Sequence, residues 1–221
     1  MPNSKSKKDK AYQVIKKAII SGQLESSKIY SFAELSETLE VGGTPAREAL
    51  VILASEGLIE PIPRTGYQVK SLSVHDMLEL FHLRSVLEVE GIGLAAERIS
   101  DDDIGLLEAN NRFEQELVVS LQSDNITHSY NEAYALNLEF HLIIARASGN
   151  NRLADMVEKL QNELELVLGY DPYIARVESA ATSAIHHYEI IERLRHRDKV
   201  GAQGAMKNHI ETAKINSLNR F

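Results

Sequence analysis

Three histidines and an asparagine in the second half of the chain have the side-chain types and spacing of metal ligands. Asn137 and His141 are four residues apart in a stretch with helical apolar spacing, so they lie on one face, one turn apart. His187 and His209 each fall on the apolar stripe of a later segment. Inward imidazoles from several helices are how helical bundles build metal sites. The alternative is that each histidine is a hydrogen-bonded core residue, since buried polar groups are nearly always paired.

Arg84 is a second candidate for binding chemistry. It lies within an apolar stripe formed by Met77, Leu80, Phe81, Leu87 and Ile92. An inward guanidinium can bind a carboxylate through two parallel hydrogen bonds. Glu88 follows one helical turn later, so the pattern is equally consistent with an internal Arg84–Glu88 ion pair.

The segment TPAREALVILASEGLIEPIPRTGYQV, residues 44–69, has the pattern of a DNA reader. Thr44 is predicted to cap the N-terminus of a helix, with Pro45 in its first position. Arg47 projects from the first turn, away from the apolar face, and in a helix-turn-helix that turn enters the major groove. Two short strands follow, LIEPIPR and GYQVKSL, with Arg64-Thr65-Gly66 at the tip between them. The helix therefore runs directly into a small β-wing.

The elements that must position these residues are mainly α-helical. Apolar spacing predicts a helix over residues 9–21, and the capping box Ser31-Phe-Ala-Glu34 predicts a second over residues 32–39. With the wing, they give a winged helix-turn-helix domain over residues 1–70. After residue 70 no strand signal occurs, and caps and glycine stops predict an all-α bundle of about six helices over residues 71–221. These helices are expected at about 74–99, 101–122, 127–148, 151–168, 171–197 and 200–217.

Composition and charge narrow the class of protein. The chain of 221 residues has no cysteine, which excludes disulfides and thiolate metal sites. No apolar run approaches the roughly 20 residues of a membrane span, and no apolar core follows the basic N-terminus, so we expect a cytoplasmic protein with no membrane partner. Residues 1–70 hold 10 Lys/Arg and 8 Asp/Glu, a net +2, whereas residues 71–221 hold 14 and 24, a net −10. The first part therefore has the local positive charge that phosphate contact requires, despite the total of −8.

The chain resembles the GntR family of bacterial transcription regulators. It looks most like the FadR subfamily, whose effector domain is called FCD, in its smaller, VanR-type branch with six bundle helices. In the first part the resemblance rests on YQVIKKAIISGQL at 12–24, TPAREAL at 44–50, EGLIE at 56–60 and Arg64-x-Gly66. In the second it rests on LRSVLE at 83–88, NLEFHLIIARASGN at 137–150, HHYEIIERLRHRD at 186–198 and AMKNHI at 205–210.

The resemblance implies that the chain binds a palindromic double-stranded DNA operator as a homodimer. Arg47 would read bases in the major groove, with guanine the expected partner. Gly66 would let the wing backbone approach the minor groove, and Thr44 and Arg64 would contact phosphates or bases at the groove edges. Ser31 completes the set of candidate DNA contacts.

The resemblance also implies that Asn137, His141, His187 and His209 are the ligands of a divalent metal ion, with zinc or nickel expected. All four donors are neutral, so the ion keeps its full charge, which favours an anionic ligand such as a small organic acid. Arg84 is the candidate second contact for this effector.

Two positions depart from the family pattern. Gly42-Gly43 stands where the family usually has Ser-Arg before Thr-Pro, so one DNA contact is missing and the operator is expected to differ or to bind less tightly. Asn137 stands where aspartate is usual in the metal site, although asparagine also occurs there.

The functional prediction is a metabolite-responsive transcription repressor rather than an enzyme. A rival hypothesis is a metal-dependent hydrolase, because three histidines with open positions also describe hydrolytic zinc sites. Against it, the sequence shows no evident carboxylate beside the histidines to act as general base, and Glu139, two residues from His141, points to another face. A third hypothesis is a DNA-binding protein whose metal is purely structural.

Overall fold

The computed structural model describes residues 6–20, 22–26, 28–70, 73–121, 126–168 and 173–219. It divides into two compact units. The first, the reader unit, comprises Met1–Ser73 with Asn162–Tyr170, and the second, the bundle unit, comprises Val74–Gln161 with Asp171–Phe221.

The reader unit is built from three helices and a three-stranded antiparallel sheet. In chain order they are α1 (Lys7–Ile20), β1 (Ile29–Tyr30), α2 (Phe32–Leu39), α3 (Gly43–Ser55), β2 (Ile59–Ile62) and β3 (Gly66–Val69). The apolar positions of these elements form one core, with Ile15, Ile19, Leu50, Leu53 and Leu58 fully buried. The predicted winged helix-turn-helix architecture is confirmed.

The two helix starts in the reader differ in how they are capped. The predicted capping box is present: the Ser31 hydroxyl accepts from the Glu34 amide at 3.2 Å, and the Glu34 carboxylate accepts from the Ser31 amide at 2.7 Å. The prediction that Thr44 caps α3 is wrong, because α3 begins at Gly43 and its N-cap residue is Gly42. Gly43 has φ of +69°, a left-handed conformation that glycine adopts without steric cost, so the glycine pair starts the helix two residues earlier than predicted.

The wing sheet has the strand order β1-β3-β2, with Tyr30 opposite Tyr67 and Ile59 opposite Val69. The two-residue strand β1 was not expected from the sequence. Gly66 makes its close approach to β1 possible, because a Cβ atom at Gly66 would lie 2.8 Å from the carbonyl carbon of Tyr30.

The bundle unit is entirely helical in its described part. Its helices are α4 (Val74–Arg98), α5 (Asp101–Leu121), α6 (Ile126–Ala147), α7 (Asn151–Leu168), α8 (Tyr173–Arg195) and α9 (Lys199–Leu218), although the last turns of α7 belong to the reader unit. Within the bundle α4 packs against α9 and α6, α5 against α6 and α8, and α8 against α9. The prediction of a mainly α fold with six bundle helices is confirmed. In the described part of the chain, no helix is both long enough and apolar enough to cross a membrane.

Candidate metal and effector site and DNA-reading surface

Three histidines from three different helices meet in the core of the bundle unit. His141 of α6, His187 of α8 and His209 of α9 are 1%, 0% and 3% exposed. Each offers one ring nitrogen, and these nitrogens all lie within 4.8 Å of one another. The apolar stripes of the sequence therefore do bring these three side chains to one place.

The imidazole rings are held by close packing. The Phe140 ring stacks on the His187 ring with centroids 3.7 Å apart and planes within 13°. His141 Nε2 and His209 Nε2 lie 3.2 Å apart. Two neutral imidazole nitrogens that face each other can share at most one hydrogen bond. A cation between them could instead bind the lone pairs of both nitrogens.

Two buried carboxylates lie on the far side of the histidine rings. His187 Nδ1 lies 2.8 Å from Glu114 Oε2, at hydrogen-bond distance. His141 Nδ1 lies 2.5 Å from Glu88 Oε2, a contact that is close but not aligned as a hydrogen bond. We assign the ring proton to Nδ1 in both cases, because a carboxylate can only accept it. The Nε2 lone pairs then point toward the centre of the cluster, as in carboxylate–histidine–metal sites.

Burial favours the neutral form of His141 and His209. Burial lowers the pKa of His141, although Glu88 opposes this effect. Burial, together with the neighbouring His187 and His141, holds the pKa of His209 well below its usual range. Neutral imidazole is the form that binds a metal ion. Burial also acts to raise the pKa of Glu88, but the Arg84 charge and the close contacts with Arg84 and His141 hold it at about 2.

The donor set therefore fits a divalent metal ion. His187 Nε2 and His209 Nδ1 are buried and have no hydrogen-bond partner among the described residues. Three converging neutral nitrogens, two of them oriented by carboxylates, are the ligands preferred by zinc and nickel. Asn137 lies one turn before His141 on α6, half-buried, and its amide oxygen accepts a hydrogen bond from the Ser183 hydroxyl at 3.5 Å.

Arg84 is buried beside the same cluster. Its Nε donates to Glu88 Oε1 at 2.6 Å, so the internal ion pair that the sequence left open is present. Its Nη2 is buried and has no hydrogen-bond partner among the described residues. Gln161 also donates to Glu88 Oε1, at 3.4 Å. Arg84 Nη2 is therefore the unsatisfied donor in the cluster of Arg84, Glu88 and Gln161.

The candidate DNA contacts lie around α3 and the wing. Thr44 and Arg47 are exposed near the start of α3, and the Arg47 guanidinium lies over the Phe32 ring at 3.9 Å from its centroid. Arg64 is exposed at the wing tip, where its φ of +64° turns the chain. Two other candidates already have structural roles, since the Ser31 hydroxyl caps α2 and Gly66 accommodates β1.

Comparison with known proteins identifies both units. Residues 7–69 match the model of the bacterial regulatory proteins of the gntR family, and residues 79–212, more than half of the chain, match the FCD domain. The chain belongs to the GntR family of transcription regulators. Proteins of this family bind DNA and are usually dimeric, and FCD domains often bind metal.

Several relatives of this GntR-family regulator are known. The transcriptional repressor GlaR of Escherichia coli is 25% identical over 207 residues, which cover 91% of each chain. The Nta operon transcriptional regulator of Aminobacter aminovorans is 28% identical over 138 residues, 62% of each chain. Among solved structures, E. coli McbR/YncC has the same fold with a TM-score of 0.75 at 21% identity, over 98% of this chain and 99% of that one. Both matched domains are those of transcription regulators, as are the curated relatives, and such regulators are not enzymes.

The sequence missed the carboxylates of the site. The expectation that no carboxylate lies beside the histidines is corrected by Glu88 and Glu114, although both contact Nδ1 and not the inward nitrogen. Glu114 was detectable, because Leu107, Asn111 and Val118 are buried at helical spacing from it. The sequence also carried no sign that the half-buried His186 lies next to the histidine cluster, with its ring centroid 5.9 Å from that of His209.

Proposed function

We propose that this GntR-family regulator is a metabolite-responsive repressor that binds a palindromic operator as a homodimer and senses a small organic acid through a bundle-held divalent metal ion. The observation that carries the proposal is the buried convergence of His141, His187 and His209. Three inward ring nitrogens buried in one core are costly unless a partner such as a cation satisfies them.

His141, His187, His209 and Asn137 would hold the ion, with zinc or nickel expected from three imidazole donors. Bound there with open positions, the ion would act as a Lewis acid that takes a carboxylate oxygen of the effector. The protein's own contribution is to keep His141 and His209 neutral through burial, and to orient the rings of His141 and His187 through the two carboxylates behind them.

Arg84 would bind the effector carboxylate from the protein side. Its Nε is engaged with Glu88, while its buried Nη2 is available as a donor. A guanidinium fixed by one ion pair loses little further freedom on binding, so this nitrogen is preorganised for an anion.

In the reader unit, Arg47 would read a base in the major groove, with guanine the expected partner. Thr44, Arg64, Gly66 and Ser31 would contact the backbone or groove edges around it. Ligand binding changes DNA affinity only if the effector binds one dimer geometry better than the other.

Metal analysis and thermal shift test the proposal. Protein purified without chelators should contain a divalent metal, and His141→Ala should lose it, whereas His82→Ala, an exposed histidine on α4, should not. An acid of the right class at about one hundred times its dissociation constant adds about 2.7 kcal/mol of stability to metal-loaded protein, which raises Tm by roughly 5–10 °C. If the purified protein contains no divalent metal and His141→Ala does not change its metal content or stability, the metal centre is refuted.

Arg84→Lys separates a sensing metal from a structural one. Lysine keeps a positive charge beside Glu88 but removes the planar fork that binds a carboxylate in two places. If the metal is sensing, Arg84→Lys keeps metal and DNA binding and loses most of the response to acids. An unchanged response in this variant would contradict the role of Arg84.

A further inference from the structure

The buried ionic side chains of the bundle unit do not balance in charge. Among the described residues of this unit, the buried ionisable side chains besides the three histidines are Arg84, Glu88 and Glu114. Arg84 and Glu88 form a pair at 2.6 Å. Glu114 is 1% exposed, its contact is His187, and no lysine or arginine in the described part of the chain lies within ion-pair distance of it.

Glu114 changes the charge that the site presents to a ligand. A metal ion binds the histidines in their neutral form, so the protein's charge in the site is then that of Arg84, Glu88 and Glu114, which sum to one negative charge. A divalent ion in the histidine cluster would turn this into one positive charge, and not the two expected when only the metal ligands are counted. Uncompensated charge in a buried site is strongly unfavourable, so the bound state is most stable when the ligand brings one negative charge.

We propose that Glu114 determines the charge of the effector, so that the site selects a singly charged carboxylate over a doubly charged acid of the same size. The proposal rests on the metal-dependent carboxylate pocket proposed above and adds its ligand class. A second carboxylate would be accommodated only where it reaches water, whereas an amide or hydroxyl in its place brings no excess charge into the core.

The charge of Glu114 can be removed without losing its hydrogen bond to His187. Glu114→Gln keeps an amide oxygen to accept the proton of His187 Nδ1, which Glu114 Oε2 accepts at 2.8 Å, and removes the charge. Glu116→Gln is the matched control, because it removes the same charge from an exposed position on the same helix. A purely structural role for Glu114 predicts equal losses for all ligands and no change in their ranking.

The probes are two pairs of equal size that differ by one charge: succinamate against succinate, and malonamate against malonate. Binding to zinc-loaded protein is measured by calorimetry, with zinc content determined for each variant. The wild-type protein and Glu116→Gln should prefer the monoanion, and Glu114→Gln should shift the ratio toward the dianion by at least about tenfold. The shift should be the same at about 0.05 and about 0.5 M salt, because a buried charge is little screened.

The outcomes distinguish this inference from the proposed function. If none of the four acids binds zinc-loaded wild-type protein, the carboxylate pocket itself is refuted and the inference with it. If acids bind but Glu114→Gln leaves the ratio unchanged, only the inference about Glu114 is overturned. If Glu114→Gln does not retain zinc, the wild-type ratio decides, and a preference for the dianion overturns the inference.

Discussion

Replacement of Gly66 by alanine should destabilise the reader unit, whether or not DNA is present. A Cβ atom there would lie 2.8 Å from the carbonyl carbon of Tyr30 and 3.0 Å from Ser31 Cα, whereas ordinary contacts begin at 3.4 Å. The two strands would have to separate by more than half an ångström at the Tyr30–Tyr67 pair. Weakened strand hydrogen bonds, at about 0.5–1.5 kcal/mol each, and the displaced Tyr30 side chain give an expected loss of about 2–4 kcal/mol.

Gly42→Ala is the matched control. Gly42 has φ of −157°, an extended conformation open to any residue, and a Cβ atom there would meet nothing within 4 Å. Its effect on stability should stay within about 1 kcal/mol, because alanine restricts the unfolded chain, which stabilises the fold, but is a poorer N-cap residue than glycine, which destabilises it.

The assay is urea unfolding followed by far-ultraviolet circular dichroism, with DNA binding measured below the unfolding range. If Gly66 serves only close approach to DNA, Gly66→Ala will unfold at the same urea concentration as Gly42→Ala and will lose only affinity. That outcome would refute the role of Gly66 in strand packing.

Three further predictions follow from buried or constrained residues. Burial raises the pKa of Glu165 to about 7 despite its ion pair with Lys16 at 3.1 Å, so the folded state binds the carboxyl proton more tightly than the unfolded state. The free energy of unfolding should therefore fall by up to about 3 kcal/mol as pH rises from about 4.5 to about 7. Urea unfolding at about pH 5 and pH 8 checks this, and Glu165→Gln should lack this part of the slope. Gly43→Arg supplies the arginine that the family usually has, but at φ of +69° it should cost about 1–2 kcal/mol of stability in urea unfolding while DNA affinity in fluorescence anisotropy rises. Arg84→Ala leaves the buried Glu88 carboxylate without its cationic partner and should cost about 3–5 kcal/mol in urea unfolding. Arg84→Met combined with Glu88→Gln should recover most of this loss.

The helices and the histidine cluster were predictable because their signals are local. Caps such as Ser31 and glycine stops placed most helix ends within a few residues of those observed, since they act on the nearest backbone groups. Apolar periodicity put His141, His187 and His209 on inner faces, and a single bundle core has few places for three inward imidazoles to go.

Contacts between elements distant in sequence were not predictable in the same way. The pairing of β1 with β3 joins two residues to a strand more than thirty residues later, and no local propensity marks it. Glu88 and Glu114 reach histidines on other helices, which depends on how the helices pack. The start of α3 moved because Gly43 allows a backbone conformation that the capping rule for Thr44 does not consider.

DNA affinity as a function of metal and acid tests the central claim most directly. Operator DNA is first selected from random sequences by the wild-type protein, and its binding is followed by fluorescence anisotropy with metal-free and zinc-loaded protein, each with and without a binding acid. If the metal-bound acid controls DNA binding, the acid changes DNA affinity at least about fivefold in zinc-loaded wild-type protein and has no effect on metal-free protein or on His141→Ala. Equal DNA affinity under all of these conditions would contradict this claim.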